Sequence, residues 1–340
     1  MPADQSLVKT AAKPRTVVAV LGPPRSGTSA ITRALECLDV DLGKPEHHRP
    51  ADAGNPRGFW EDLLIVDLCA RGLASFNLPW YGLQLFNKED WNTPKGRDLL
   101  AEATDIVNRR IAETANGIWG CKNPQIGRMI WIWMQAFEQA HCSDRYIITL
   151  RNPLSIAASV IKGSPHFGVG STPTHLHLMW LVYQVGAMEV AMAGKPAVVV
   201  DFDRVMTNPG ANLERMSATL NLPIPREKKN MLDAYGKEFL DQGLRHTTFT
   251  ISDLTADPRV PALVIKAYEV LSDVASDKLP LQSQEFRQRW GAIVAETMKQ
   301  NSIFRLIDQM DNRLVRSRYF ARIIYRHSPR MVRKWMARFA

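Results

Sequence analysis

A six-residue aliphatic run, Thr16-Val-Val-Ala-Val-Leu21, leads straight into Gly22-Pro-Pro-Arg-Ser-Gly27, after which Ala30, Ile31, Ala34, Leu35 and Leu38 recur at helical spacing. The run reads as a buried parallel strand. The glycines and prolines end it in a tight loop, and the periodic stretch that follows reads as a helix. Gly22-x-x-x-x-Gly27-Thr28-Ser29 has the spacing of a phosphate-binding loop. Glycines bring backbone N–H groups close to an anion, and the N-terminus of the next helix adds partial positive charge. The lysine such loops place before the hydroxyl residue is missing. Thr28 stands there, and the loop's cation is Arg25, three residues earlier.

The rest of the chain continues the alternation. Short strands are expected at 117–122, 145–151 and 196–202, and helices at 61–73, 96–114, 124–139, 152–162, 174–192 and 208–220. From Asp257 onward only helical patterns occur, broken at Pro280 and Pro329. Strands alternating with helices imply a parallel sheet covered on both faces. The expected class is therefore α/β: a P-loop-type parallel sheet flanked by helices, with a C-terminal helical extension. A flexible N-terminus over 1–14, an α/β domain over 15–255 and a helical region with a basic tail over 256–340 fit the 340 residues.

Charge and cysteines narrow the classes further. The net charge is +9, but residues 311–340 hold nine Lys or Arg against the single acid Asp311, so the body is nearly neutral. In that tail arginines alternate with Tyr, Phe, Ile, Trp and Met, a pattern suited either to peripheral contact with an anionic membrane or to packing on the body. No nucleic-acid-binding module accompanies it, so nucleic acid is not an expected partner. Cys37, Cys69, Cys121 and Cys142 form no C-x-x-C pair and no zinc-finger spacing. They read as reduced, mostly buried thiols. The N-terminus lacks the apolar run of a secretion signal, and no apolar stretch approaches a membrane span. A cytoplasmic protein, peripheral to the membrane if the tail engages it, is the expectation.

Pro24-Arg25-Ser26-Gly27-Thr28-Ser29 resembles the 5′-phosphosulfate loop of sulfotransferases that use 3′-phosphoadenosine-5′-phosphosulfate (PAPS). A second string, Arg151-Asn-Pro-Leu-Ser-Ile-Ala-Ala-Ser159, resembles that family's strand-ending Arg followed eight residues later by Ser. The likeness is to the bacterial and tyrosylprotein-sulfotransferase-like branch, over about residues 15 to 250. It implies that Arg151 and Ser159 bind the 3′-phosphate of PAPS and that residues 24–29 hold its other end. The product would be adenosine 3′,5′-bisphosphate. Arg at the C-terminal edge of a strand suits forked phosphate binding. A sulfuryl group carries less charge than a terminal phosphoryl group, so cationic side chains can stabilise the leaving phosphate and no metal is expected. Asn152 departs from the family's frequent His or Asp.

Transfer to an acceptor hydroxyl needs a base and a cation at the leaving oxygen. Asn55-Pro-Arg-Gly-Phe-Trp-Glu61 resembles a bacterial signature in which the acid opens a helix, which nominates Glu61 as base. Glu46, in Gly43-Lys-Pro-Glu46, is the competing base, and the neighbouring His47 and His48 read as solvated. Trp119-Gly-Cys-Lys122-Asn-Pro124 resembles the family's Lys-Asp-Pro motif with Asn123 in place of Asp, which puts Lys122 beside the transferring group. Arg245, in a basic stretch near the end of the similar region, would return to a phosphate. The expected acceptor is a hydroxyl of a carbohydrate, glycolipid or other small molecule. Trp131, Trp133 and Trp180 read as core or acceptor-pocket walls. Two other readings stay open: a P-loop kinase, and a sulfotransferase-like module that binds nucleotide without turnover.

Overall fold

A computed structural model describes residues 15–52, 55, 57–163, 172–222, 224–228, 231, 235 and 248–313. Four strands, β1 (Thr16–Leu21), β2 (Ile118–Lys122), β3 (Ser143–Leu150) and β4 (Ala197–Asp201), form one parallel sheet in the order β2-β1-β3-β4. The architecture is the expected α/β one.

The alternation along the strands divides the core. Val18 and Val20 of β1, Ile147 of β3 and Val198 of β4 face one hydrophobic cluster. Val17, Ala19, Tyr146 and Ile148 face the other. The first cluster is closed by α1 (Thr28–Ala34) and by α8 (Pro209–Leu220), which follows the short α7 (Phe202–Thr207). The second and larger is closed by α2 (Leu63–Ala74), α3 (Pro94–Glu113), α4 (Ile130–Gln139), α5 (Pro153–Gly163) and α6 (Pro173–Met192). Burial of both faces explains why β1 and β4 read as nearly continuous apolar runs.

Beyond α9 (Ile251–Ala256), two further helices, α10 (Ala262–Ala275) and α11 (Gln284–Lys299), add Val264, Leu271, Phe286 and Trp290 to the same large core. A last helical stretch, 301–313, turns Asp308 inward. Its carboxylate accepts from Leu83 N at 2.9 Å and Gln84 N at 2.8 Å. Arg128 donates to the carbonyls of Gly82 and Gln84, both at 2.6 Å, and so fixes the same loop from the other side. Among the described residues no helix is long and apolar enough to cross a membrane.

Several boundaries differ from the sequence reading for local reasons. The helix expected from residue 61 begins at Leu63, because Asp62 caps it by accepting from Leu64 N at 2.9 Å. The helix expected over 124–139 is split into a 3₁₀ turn, Pro124–Met129, and α4. The strand expected to reach residue 202 stops at Asp201, whose side chain accepts from Asp203 N and Arg204 N and starts α7. The four cysteines are free thiols, three of them buried, and burial pushes Cys69 up to about 12.

Candidate active site

The ends of the four strands deliver the candidate residues to one edge of the sheet, where open α/β folds bind ligands. Register decides who stands beside whom. Val20 pairs with Lys122, so the lysine lies next to the start of the glycine loop. Leu150 pairs with Asp201, which sets the next two residues, Arg151 and Phe202, side by side. The Arg151 guanidinium carbon is 4.9 Å from the Phe202 ring centroid.

The loop is built for close approach. A Cβ on Gly22 (φ +137°) would sit 2.1 Å from Thr149 Oγ1, and one on Gly27 (φ +88°) would sit 2.0 Å from the Phe202 ring. Both positions therefore require glycine. Ser26 is fully buried; its hydroxyl donates to Pro23 O at 2.7 Å and shares a 2.5 Å hydrogen bond with Thr149 Oγ1. Ser26 thus locks the loop to β3. Thr28 opens α1 from a buried position, and Pro24 lies partly buried in the turn. Arg25 adopts a left-handed backbone (φ 70°), unusual for a non-glycine residue. Such a conformation fits a functional loop.

Arg25, Ser159 and Arg151 converge. Arg25 Nε donates to Ser159 Oγ at 3.0 Å, and Arg151 Nη1 donates to Arg25 O at 3.1 Å. Arg151 is 8% exposed, and Trp180 Nε1 holds its carbonyl at 3.1 Å. Burial pushes the Arg25 guanidinium below its ordinary value, while the negative charge of Asp52 acts the other way.

Glu61 and Lys122 meet at the opposite side of the loop. Lys122 Nζ donates to Glu61 Oε1 at 2.8 Å and to Ser29 Oγ at 3.3 Å. Burial lowers the Lys122 pKa, and Glu61 opposes that shift. Arg49 lies 3.5 Å from Glu61 Oε2 and stacks over Phe59 at 3.9 Å. Glu61 lies two residues ahead of α2, and Lys122 and Arg49 are the charges that hold it. Asn123 caps the turn after Lys122, accepting from Gln125 N at 2.7 Å. An amide oxygen thus does the capping an aspartate would do.

Sequence reasoning singled out Ser29 but missed what it joins. Asn55 Nδ2 donates to Ser29 Oγ at 3.1 Å and to Gly58 O at 2.6 Å, tying Asn55 and Gly58 to the glycine loop. Asn55 stands in the quoted motif, which was the available signal; Arg49, in a polar loop, gave none. Asn152 also has a role: its Nδ2 donates to Phe249 O and Thr250 O at 3.0 and 3.1 Å, fastening the chain ahead of α9 to the site. Glu46 is exposed on a 3₁₀ turn (Pro45–His47). Arg245 lies outside the described residues. Trp133 and Trp180 are fully buried core, whereas Trp131 lines a small cavity of ≈ 190 Å³ beside Phe86 and Met298. Among the described residues no three His, Cys, Asp or Glu side chains converge as metal ligands.

No protein-family model and no curated protein matches the chain. Solved structures do match, two sulfotransferase domains among them. One is the sulfotransferase domain from the Synechococcus PCC 7002 olefin synthase, at 14% identity over 77% of this chain and 96% of that one, with a TM-score of 0.44. The other is the sulfotransferase domain from the curacin biosynthetic pathway, at 14% identity over 83% and 98%, with a TM-score of 0.41. Both are sulfotransferase domains.

Proposed function

We propose that the chain is a sulfotransferase that takes a sulfuryl group from PAPS and passes it to the hydroxyl of a carbohydrate, glycolipid or other small molecule. The observation that carries this reading is the convergence of Arg25, Arg151 and Ser159 on the glycine loop, with the Glu61–Lys122 pair joined to that loop through Ser29. The residues fit the cofactor. Gly22 and Gly27 let the loop pack tightly on Thr149 and Phe202, and the donor set beside it is two arginines and hydroxyls.

Arg25, Ser159, Arg151 and the N–H groups of residues 27–29 would hold the two phosphate ends. When bound, the cofactor supplies a sulfuryl group whose bond to the 5′-phosphate breaks as an acceptor oxygen bonds to sulfur, leaving adenosine 3′,5′-bisphosphate. Lys122 and Arg25 supply the positive charge that a kinase loop draws from its lysine and Mg²⁺. Glu61 takes the acceptor's proton. Lys122 holds its Oε1 in place, and Oε2 faces the half-exposed Arg49. The anchoring of both cofactor ends would convert remote binding energy into orientation of the reacting atoms.

Calorimetric titration tests this directly. Adenosine 3′,5′-bisphosphate should bind without Mg²⁺ and more tightly than ATP with Mg²⁺, and Arg151→Ala should weaken it. Preference for ATP–Mg²⁺ would assign the loop to a kinase. Incubation with radiolabelled PAPS and cell extract should give a labelled product with the natural chain and none with Glu61→Gln. Bisphosphate binding with no labelled product from any extract would leave a nucleotide-binding module without turnover.

A further inference from the structure

We propose that the outer face of the helix over 301–313 docks on an anionic lipid surface. Ile303, Leu306 and Met310 are 58%, 55% and 55% exposed, the three most exposed large apolar side chains among the described residues. Their spacing of three and then four residues puts them in one line along the helix. Amphipathic helices of globular proteins turn such a line inward. Here the inward face is occupied by other residues: Asn301, Phe304, Asp308 and Asp311 are buried. Asn301 binds both backbone groups of Leu85, and Asp308 accepts from Leu83 and Gln84. Asn301 and Asp308 bind the body on the inner side of the helix, and its apolar line is exposed.

Charge selects the occupant. Both acids of this helix are turned into the body, so its outward face carries no carboxylate of its own. The exposed charges there are Arg305, which also reaches Asp90 at 3.6 Å, and Arg313, which continues the line one turn beyond Met310. The sequence 314–340 then adds eight Lys or Arg, no acid, and Tyr319, Phe320, Tyr325, Trp335 and Phe339. An apolar line edged by cations and continued by interleaved arginines and aromatics matches a surface with acyl chains beneath a layer of negative headgroups. A protein partner would need an apolar groove rimmed by acids. A second copy of this chain would bring its own cationic edge against the first.

The test is flotation of the full chain with two vesicle preparations: phosphatidylcholine alone, and phosphatidylcholine with phosphatidylglycerol at about three to one. The chain should float with the mixed vesicles at low salt, and binding should weaken at about 0.5 M salt, where charge attraction is screened. The full-length triple variant Ile303→Ser/Leu306→Ser/Met310→Ser should bind about ten-fold more weakly with an unchanged melting temperature, since the three sites are surface-exposed. Arg316→Glu/Arg318→Glu/Arg322→Glu should remove the preference for the mixed vesicles. Equal binding by the triple serine variant would overturn the role of the helix face. Equal binding to both vesicle types would overturn the anionic requirement. A lipid-free dimer dissolved by the serine variant, with no flotation, would give the face to a second copy and overturn the proposal. None of these outcomes depends on PAPS or on turnover.

Discussion

Arg25 and Ser159, 134 residues apart, are joined by a 3.0 Å hydrogen bond from the guanidinium Nε to the hydroxyl. The bond links the glycine loop to the second turn of α5, so the two strings that suggested opposite ends of one nucleotide form a single polar cluster. Arg151 adds the backbone of Arg25 to that cluster. Part of the organisation a bound anion would otherwise have to impose is therefore built in, which is the economy of a preformed site.

Ser159→Ala should weaken adenosine 3′,5′-bisphosphate binding by about 10- to 100-fold, the loss expected for a hydrogen bond to a charged group. The melting temperature should stay close to that of the natural chain, because Ser159 is only partly buried. Calorimetry with parallel thermal melts separates the two effects. Unchanged affinity would remove Ser159 from the binding set.

The Glu61–Lys122 pair has side chains only 7% and 1% exposed, and removing one partner leaves a buried charge behind. Lys122→Met and Glu61→Gln should each destabilise the fold, the first by about 3–5 kcal/mol in denaturant titration. The double variant Glu61→Gln/Lys122→Met should recover much of that loss, because no uncompensated charge remains. Activity should stay absent in all three. A double variant as unstable as the sum of the singles would show that the two residues act independently.

How much of this was legible in the sequence depends on how far the information travels along the chain. The glycine loop, Arg151 and Ser159 were readable because each sits on a contiguous strand–turn–helix unit whose geometry is local. The Glu61–Lys122 contact was not. It depends on contacts that bring Glu61 back to the loop: Asn55 on Ser29, and a bridge between His48 and Asp62. No periodic pattern encodes that path. Arg49 left no trace because a half-exposed arginine in a polar loop looks like any solvated one. The helix starting at Leu63 rather than Glu61 turns on which of two adjacent acids caps it, a choice made by tertiary contacts: Asp62 is also gripped by Arg110 at 2.6 Å.

Gly27 and Gly58 offer a matched pair for the loop. Both have left-handed backbone (φ +88° and +92°), but a Cβ at Gly27 would strike Phe202 while one at Gly58 meets nothing within 4 Å. Gly58→Ala should cost about 1–2 kcal/mol from backbone strain alone. Gly27→Ala should cost a further ~1–3 kcal/mol from overpacking. It should also impair bisphosphate binding, since Phe202 stands against Arg151. Equal costs in denaturant titration would mean that the Phe202 ring moves aside freely.

The burial of Lys122 also gives activity and stability opposite responses to alkali. Its pKa is depressed below the ordinary 10.5 by loss of hydration, with Glu61 offsetting part of the shift. Turnover that needs the ammonium should therefore fall on an alkaline limb below 10.5. Between the depressed value and 10.5, the unfolded chain keeps a proton that the native chain has released. In that window rising pH favours the native state as far as Lys122 is concerned. Loss of activity there cannot be unfolding driven by this group. The check is a pH–kcat profile taken with denaturant titrations at the same pH values. Lys122→Arg, whose guanidinium stays protonated throughout, should move the limb out of the measurable range if it retains turnover. A limb that stays in place in an active Lys122→Arg variant would assign it to another group.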